Sequence, residues 1–174
     1  LWPRLDVIWD AMRDAVKRGL ASPQILLPGT LELARRARLT WTRAKDLRGT
    51  PRDLGLVAAF ALAVAEENAA GQPVVAAPSC GAAGVLPAVL YFFQTVRKVP
   101  RRKILEALAT AGLFGASIRT HATVSGAEAG CQAEIGSACS MAAAAAAQIA
   151  GASLNQIEYA AEMAMEHNLG LTCD

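Results

Sequence analysis

The chain has 174 residues, 53% of them hydrophobic and 18% charged, with a formal net charge of +2. That length suits one domain with a substantial core and argues against two. A charge so near neutral argues against nucleic acid or an anionic membrane as the partner, and the basic runs at Arg35–Arg36–Arg38, Arg97–Lys98 and Arg101–Arg102–Lys103 read as solvated helix faces.

In chain order the pattern is helical almost throughout. Val7, Ile8, Met12, Val16 and Leu20 recur at three- and four-residue steps, which predicts an amphipathic first helix ending at or just past Gly19. Pro23 and Pro28–Gly29 interrupt the chain after it, and Thr30 is placed to cap a short helix over Leu31 to Leu39. Asp46 to Pro51 reads as a connector. From Arg52 to Ala70 the residues are apolar on nearly every face, which predicts a helix buried in the core. An irregular segment, Val74 to Gly81, leads through Gly84 into a helix over Val85 to Val96. Pro100 separates this from a helix over Arg101 to Phe114. A second irregular stretch, Arg119 to Gly130, precedes a long alanine-rich helix over Gln132 to Ala150. Ser153 then caps a last helix from Leu154 to about His167, ended by Asn168 and Gly170. No strand pattern alternates with these helices. The expectation is an all-α, single compact multi-helix domain, with the alanine run Ala142–Ala147 buried at its centre.

The chain opens without methionine, and Leu1-Trp2-Pro3-Arg4 does not resemble a signal peptide. The longest apolar runs, Leu54 to Ala65 and Met141 to Ala147, fall short of the ~20 residues that span a bilayer. These features point to a cytoplasmic protein, and its four cysteines then read as thiols or metal ligands rather than disulfides. The end at Thr172-Cys173-Asp174 reads as a truncation of a longer chain.

Several chemistries lack their signatures. There is no glycine-rich dinucleotide or phosphate-binding motif and no His-Glu-x-x-His. Lys17, Lys45, Lys98 and Lys103 all lie in charged, exposed-looking runs, so no lysine suits pyridoxal phosphate. Small and polar residues do collect ahead of two helices. Ser79-Cys80-Gly81 and Ser125-Gly126 would bring hydroxyls and backbone N–H groups to a helix start, a setting that favours a carboxylate. From spacing alone an ordinary capped helix is the better reading of each. Cys131 and Cys139 lie about 80° apart around a helix and cannot chelate one metal, and any single cysteine reads as readily as a small buried hydrophobe.

Longer motifs narrow this. Ser125-Gly126-Ala127-Glu128-Ala129-Gly130-Cys131-Gln132-Ala133-Glu134-Ile135-Gly136 with Ala138-Cys139-Ser140-Met141, and Glu166-His167-Asn168-Leu169-Gly170-Leu171-Thr172-Cys173-Asp174, resemble the α domain of the iron–sulfur L-serine dehydratases. So do Glu67-Asn68 through Ala77-Pro78-Ser79, Gly81-Ala82-Ala83-Gly84-Val85-Leu86-Pro87, and the Leu27-Pro28-Gly29 turn. The resemblance runs over nearly all of residues 1–174.

The resemblance implies conversion of L-serine to pyruvate and ammonia on a 4Fe–4S cluster with one open iron. It assigns Cys131 and Cys173 as cluster ligands and expects a third cysteine beyond Asp174, so the cluster should be absent or incomplete in this chain alone. Cys139 matches a non-ligand position, and Cys80 takes no cluster role. Ser79, Cys80, Gly81, Ser125 and Gly126 become candidates for holding substrate. His121, Glu128 and His167 are candidates for the base, His167 doubling as a helix cap. A regulatory β domain, fused or separate, and a homo-oligomer are the implied partners. An iron–sulfur lyase that removes sulfide from cysteine and a non-catalytic helical interaction module remain as alternatives.

Overall fold

The computed structural model describes residues 1–171, and seven helices carry most of that length. They are α1 (Trp2–Ala21), α2 (Ala37–Lys45), α3 (Gly49–Ala69), α4 (Val85–Thr95), α5 (Arg101–His121), α6 (Gly126–Ile149) and α7 (Leu154–Glu166). Among the described residues the strand-like structure is confined to one antiparallel bridge, Leu26 to Ala34, so the all-α expectation holds. Among the same residues no helix is long and apolar enough to cross a membrane.

Helix α1 forms where its pattern predicts, but its buried face is shifted. Val7 is 70% exposed, and Ile8 and Leu20 are half-buried. Only Met12 and Val16 of the expected stripe lie inside, because Leu5 and Trp9 face the core instead. Leu5, Trp9, Met12, Ala15, Val16 and Gly19 are its buried stripe. Pro3 falls in the first turn, where a missing N–H breaks no helical bond. Trp9 is fully buried, and its indole Nε1 donates to Gln94 Oε1 at 3.2 Å, so the ring's polar end is satisfied. Arg101 fastens the start of α5 to α1 by donating to Asp6 Oδ1 at 2.8 Å and Asp10 Oδ1 at 2.9 Å. The hydrogen bond from Arg101 holds the Asp10 carboxyl below its usual range.

Small residues set the distances between helices. A Cβ on Gly19 would collide with the backbone of Ala63, and one on Gly84 with the backbone of Ala61. Ala61 and Ala63 lie about 200° apart around α3, so α3 is clasped on two flanks. Leu86, Leu90 and Ile104 fill the core beside Trp9 and Met141, each contributing roughly 1.5–3 kcal/mol through burial. Val16, Leu56, Phe60, Val64 and Phe92 form a second cluster.

The alanine run lies where the sequence places it. Ala142, Ala144 and Ala145 are buried, and Ala144 meets Ile157 and Ala161 of α7. Helix α6 packs against α4, α5 and α7. Against α5 the contact is close enough that Gly115 leaves no room for a Cβ beside Met141. The start of α7 carries a reciprocal cap: Ser153 Oγ accepts from Gln156 N at 3.4 Å, and Gln156 Oε1 accepts from Ser153 N at 2.9 Å.

Three local expectations are corrected. Leu31 to Leu39 is not a Thr30-capped helix: residues 25–35 form a loop pinned by the Leu26–Ala34 bridge, and α2 begins only at Ala37. The loop wins because Arg35 is drawn inward to buried carboxylates on α3. Helix α3 is not apolar-buried all round, since Leu54, Ala58, Ala65 and Ala69 form an exposed stripe. Helix α5 runs on past Phe114 to His121, so the irregular stretch before α6 shrinks to residues 122–125.

Candidate active site

The last turn of α3 supplies three consecutive polar residues that organise what surrounds it. Glu66 Oε1 accepts the backbone N–H groups of Arg36 at 2.5 Å and Ala37 at 2.9 Å, and so caps α2 from another helix. Glu67 accepts from Arg18 Nε and Arg35 Nη1, each at 3.2 Å. Arg35, Glu66 and Glu67 are all more than nine-tenths buried as side chains, so this pairing is what makes their burial tolerable. Asn68 faces the other way. Its Nδ2 donates to the carbonyl of Cys80 at 3.0 Å and holds the Ser79–Gly81 turn.

That turn precedes α4 rather than opening it. Gly84 is the N-cap, and the segment from Cys80 is closed by bonds from Ala83 N to Cys80 O and from Val85 N to Ala82 O, both 3.2 Å. Ser79 Oγ accepts from Ala82 N at 3.4 Å. Cys80 and Gly81 are exposed, while Ala82, Ala83 and Gly84 are buried beneath them.

Opposite lies the start of α6. Ser125 is its N-cap, but the serine hydroxyl makes no capping bond. Gly130 then departs from helical geometry at φ 80°, ψ 165°, a conformation that glycine adopts without the strain other residues would suffer. The helix resumes at Cys131, which is exposed. One turn later Glu134 reaches back across the gap. Its carboxylate lies so close to Gly81 that a Cβ there would collide with it. Oε2 comes within 3.8 Å, and Cys131 Cα within 3.9 Å, of the point where a Gly126 Cβ would stand. Gly81, Gly126 and Cys131, chosen from sequence as members of one site, are thus gathered around Glu134.

The remaining candidates take local roles. Glu128 Oε2 accepts from Thr123 Oγ1 at 2.5 Å, and Thr123 Oγ1 also accepts from Ser125 N at 3.1 Å, so Glu128 steadies the turn into α6. His121 is exposed, with Nδ1 2.9 Å from Ser117 O of its own helix. His167 is the C-cap of α7 and is exposed. Cys139 is half-buried, and burial pushes its thiol up from the usual range, opposed more weakly by a hydrogen bond with Asn168. Cys173 lies outside the described residues. A cavity of about 810 Å³ between Arg18, Gln24, Leu27, Arg35 and Glu67 holds none of the candidates.

Sequence reasoning passed over two residues that organise this site, Glu134 and Asn68. Glu134 stands three residues beyond Cys131, the spacing that places two side chains on one helix face. That signal was available for Glu134. Asn68 had only its neighbour Glu67 within a family-like motif.

Among the described residues no three His, Cys, Asp or Glu side chains converge as metal ligands. The donor set fits one corner of a cluster. Cys131, an exposed residue where the helix resumes after Gly130, is the candidate among the described residues that suits it. The Cys139 thiol is held towards its neutral form and does not fit.

A family model described as the serine dehydratase alpha chain matches residues 1–174. The chain is 49% identical over 172 residues to an L-serine dehydratase of Streptomyces coelicolor, covering 96% of this chain and 37% of that protein. It is 45% identical over 172 residues to L-serine dehydratase 2 of Escherichia coli, covering 96% and 38%. A Helicobacter pylori L-serine dehydratase is 40% identical over 173 residues, covering 96% and 38%. The chain therefore spans a little over a third of the length of the curated relatives it matches. With a match from first residue to last, it belongs to the serine dehydratase alpha chain family.

Proposed function

We propose that this chain is the catalytic helical domain of an L-serine ammonia-lyase, which converts L-serine to pyruvate and ammonia in the cytoplasm. The observation that carries the reading is the gathering of the Gly81 turn, the Gly126 helix start and Cys131 around Glu134. Glycine at both places lets the Glu134 carboxylate approach the backbone of the Gly81 turn and the start of α6 closely. Cys131 and Cys173 would hold a 4Fe–4S cluster, with a third cysteine beyond Asp174. When bound, that cluster supplies Lewis acidity for the serine hydroxyl and carboxylate.

The chain's own residues then have defined tasks. Asn68 fixes the carbonyl of Cys80, so the Ser79–Gly81 turn presents a constant surface to substrate. The Ser125 hydroxyl, free of a capping bond, is available to the substrate carboxylate. Thr123 and Glu128 hold the approach to Gly126 in place. Loss of the α-proton and of the hydroxyl leaves an enamine, which tautomerises and hydrolyses to pyruvate and ammonia. A regulatory β domain and a homo-oligomer complete the proposal. Exposed Ile25, Leu31, Leu33 and Leu54 support an assembled state.

The test is anaerobic iron–sulfur reconstitution of the full-length protein carrying this chain, followed by pyruvate assay on L-serine and L-cysteine. Turnover of L-serine is the expected result. Preference for L-cysteine with sulfide release would replace it with a desulfidase, and no turnover of either would leave a helical interaction module.

A further inference from the structure

We propose that Glu134 is the specificity residue that receives the ammonium group of the amino-acid substrate. The inference rests on the dehydratase reading and assigns a part of that site for which no group has yet been named.

Three observations carry it. The first is position. The Glu134 carboxylate lies between the two glycine turns and one helical turn from Cys131, in contact with Gly81 and near Gly126. A ligand seated against the Gly81 turn would meet this carboxylate.

The second is charge. Glu66 and Glu67 meet N–H groups or guanidinium groups, and Glu128 meets a hydroxyl. Among the described residues no donor is hydrogen-bonded to Glu134, although it is only partly exposed. A carboxylate partly withdrawn from water and left without a partner gains most from a cation brought by a ligand. Glu134 is therefore kept ready for an external donor, while its counterparts are used within the fold.

The third is the chemistry of the substrate. An amino acid brings a carboxylate, a hydroxyl and an ammonium. A cluster held by Cys131 would, like the helix start, suit the first two, both of which favour positive surroundings. The ammonium needs the reverse. Glu128, the carboxylate in the first turn of α6, is already occupied by Thr123. Glu134 is the group left for the ammonium. The glycines facing it have a matching reason: a side chain at Gly81 would drive the carboxylate from its place.

The experiment compares wild-type, Glu134→Gln and Glu134→Asp forms of the full-length, cluster-loaded enzyme. L-serine is the substrate. The competitor is 3-hydroxypropionate, which keeps the hydroxyl and carboxylate of serine but lacks the ammonium. Losing one charge-assisted hydrogen bond predicts a roughly ten- to hundredfold rise in KM for L-serine in Glu134→Gln, with a smaller change in kcat. The inhibition constant of 3-hydroxypropionate and the iron content should stay at wild-type values, and Glu134→Asp should recover part of the loss. An unchanged KM for L-serine in Glu134→Gln overturns the inference. So does equal weakening of 3-hydroxypropionate, which would mean that Glu134 shapes the cleft as a whole. Loss of iron from the variant also overturns it, because Glu134 would then serve the cluster. Absence of serine turnover in the wild type would overturn the dehydratase reading itself, and this inference with it.

Discussion

Two places in this molecule hold glutamates against glycine- and alanine-rich backbone, and they treat them in opposite ways. At the end of α3, Glu66 and Glu67 are buried and matched with Arg18, Arg35 and two backbone amides. Even Glu66 Oε2, which makes no hydrogen bond, lies 3.8 Å from the Arg35 guanidinium. Between the Ser79–Gly81 turn and α6, Glu134 has no such match among the described residues. The glycines differ likewise. Gly84 lets α4 touch the backbone of Ala61, whereas Gly81, three residues earlier, admits only a carboxylate. Where side chains complete one another, the fold is being held together. Where they are left open, something from outside is expected.

Paired substitutions test that division, and the glutamates should show the widest gap. Glu66→Ala strips two amides of their acceptor and leaves Arg35 short of one counter-charge, so it should cost about 3 kcal/mol of stability. Glu134→Ala should stay within about 0.5 kcal/mol. Urea unfolding midpoints decide it, and equal losses would erase the distinction. The glycines come next. Gly84→Ala forces a methyl into the Ala61 backbone, which cannot move cheaply, and should cost roughly 1–3 kcal/mol. Gly81→Ala meets the movable end of a side chain, so serine turnover should fall while the melting temperature holds. A melting loss as large as that of Gly84→Ala would place Gly81 with the structural glycines.

The helix-capping serines should differ by less. Ser153→Ala breaks the reciprocal cap of α7 and should cost about 1 kcal/mol by chemical denaturation. Ser125→Ala removes a hydroxyl with no capping bond and should show a smaller loss. The smallest effect concerns thiols. Because burial raises the Cys139 pKa, the folded state keeps that proton to higher pH than the unfolded chain does. Its contribution to stability is therefore full below the unfolded value, near 9.0, and declines as pH rises from there towards the folded value. At mildly alkaline pH, iodoacetamide should label exposed Cys80 well before Cys139. Equal labelling rates would contradict the burial of Cys139.

How much of this was legible in the sequence depends on how far each residue's partner lies along the chain. The extent of α1, the buried alanines and the Ser153 cap all rest on spacings of a few residues, and the sequence pattern reveals them, although the face α1 buries runs through Leu5 and Trp9 rather than Val7 and Ile8. The start of α2 was missed because its cap, Glu66, lies 30 residues away. The Leu31–Leu39 pattern looked helical locally, and the pull of Glu66 and Glu67 on Arg35 overrode it. At the site, the motifs around Cys131 and Ser79–Pro87 pointed to the family, and small and polar residues ahead of two helices marked the turns at Ser79–Gly81 and Ser125–Gly126. Those turns were read as helix starts, but the one at Ser79–Gly81 is a turn of its own. The meaning of Glu134 depends on where Gly81 ends up, which no local pattern encodes. The same limit applied to Asn68 and its bond to Cys80.

The cap that Glu66 lends to α2 also orders events in time. Helix α2 has nine residues and no side-chain cap of its own, and isolated helices shorter than ~12–15 residues are marginal in water. Its first turn therefore gains its acceptor only when the last turn of α3 has formed and docked, which makes α2 a follower in assembly rather than a nucleus. The amides of Arg36 and Ala37 then exchange with deuterated solvent only when the end of α3 lets go, and their exchange rate becomes a gauge of that junction.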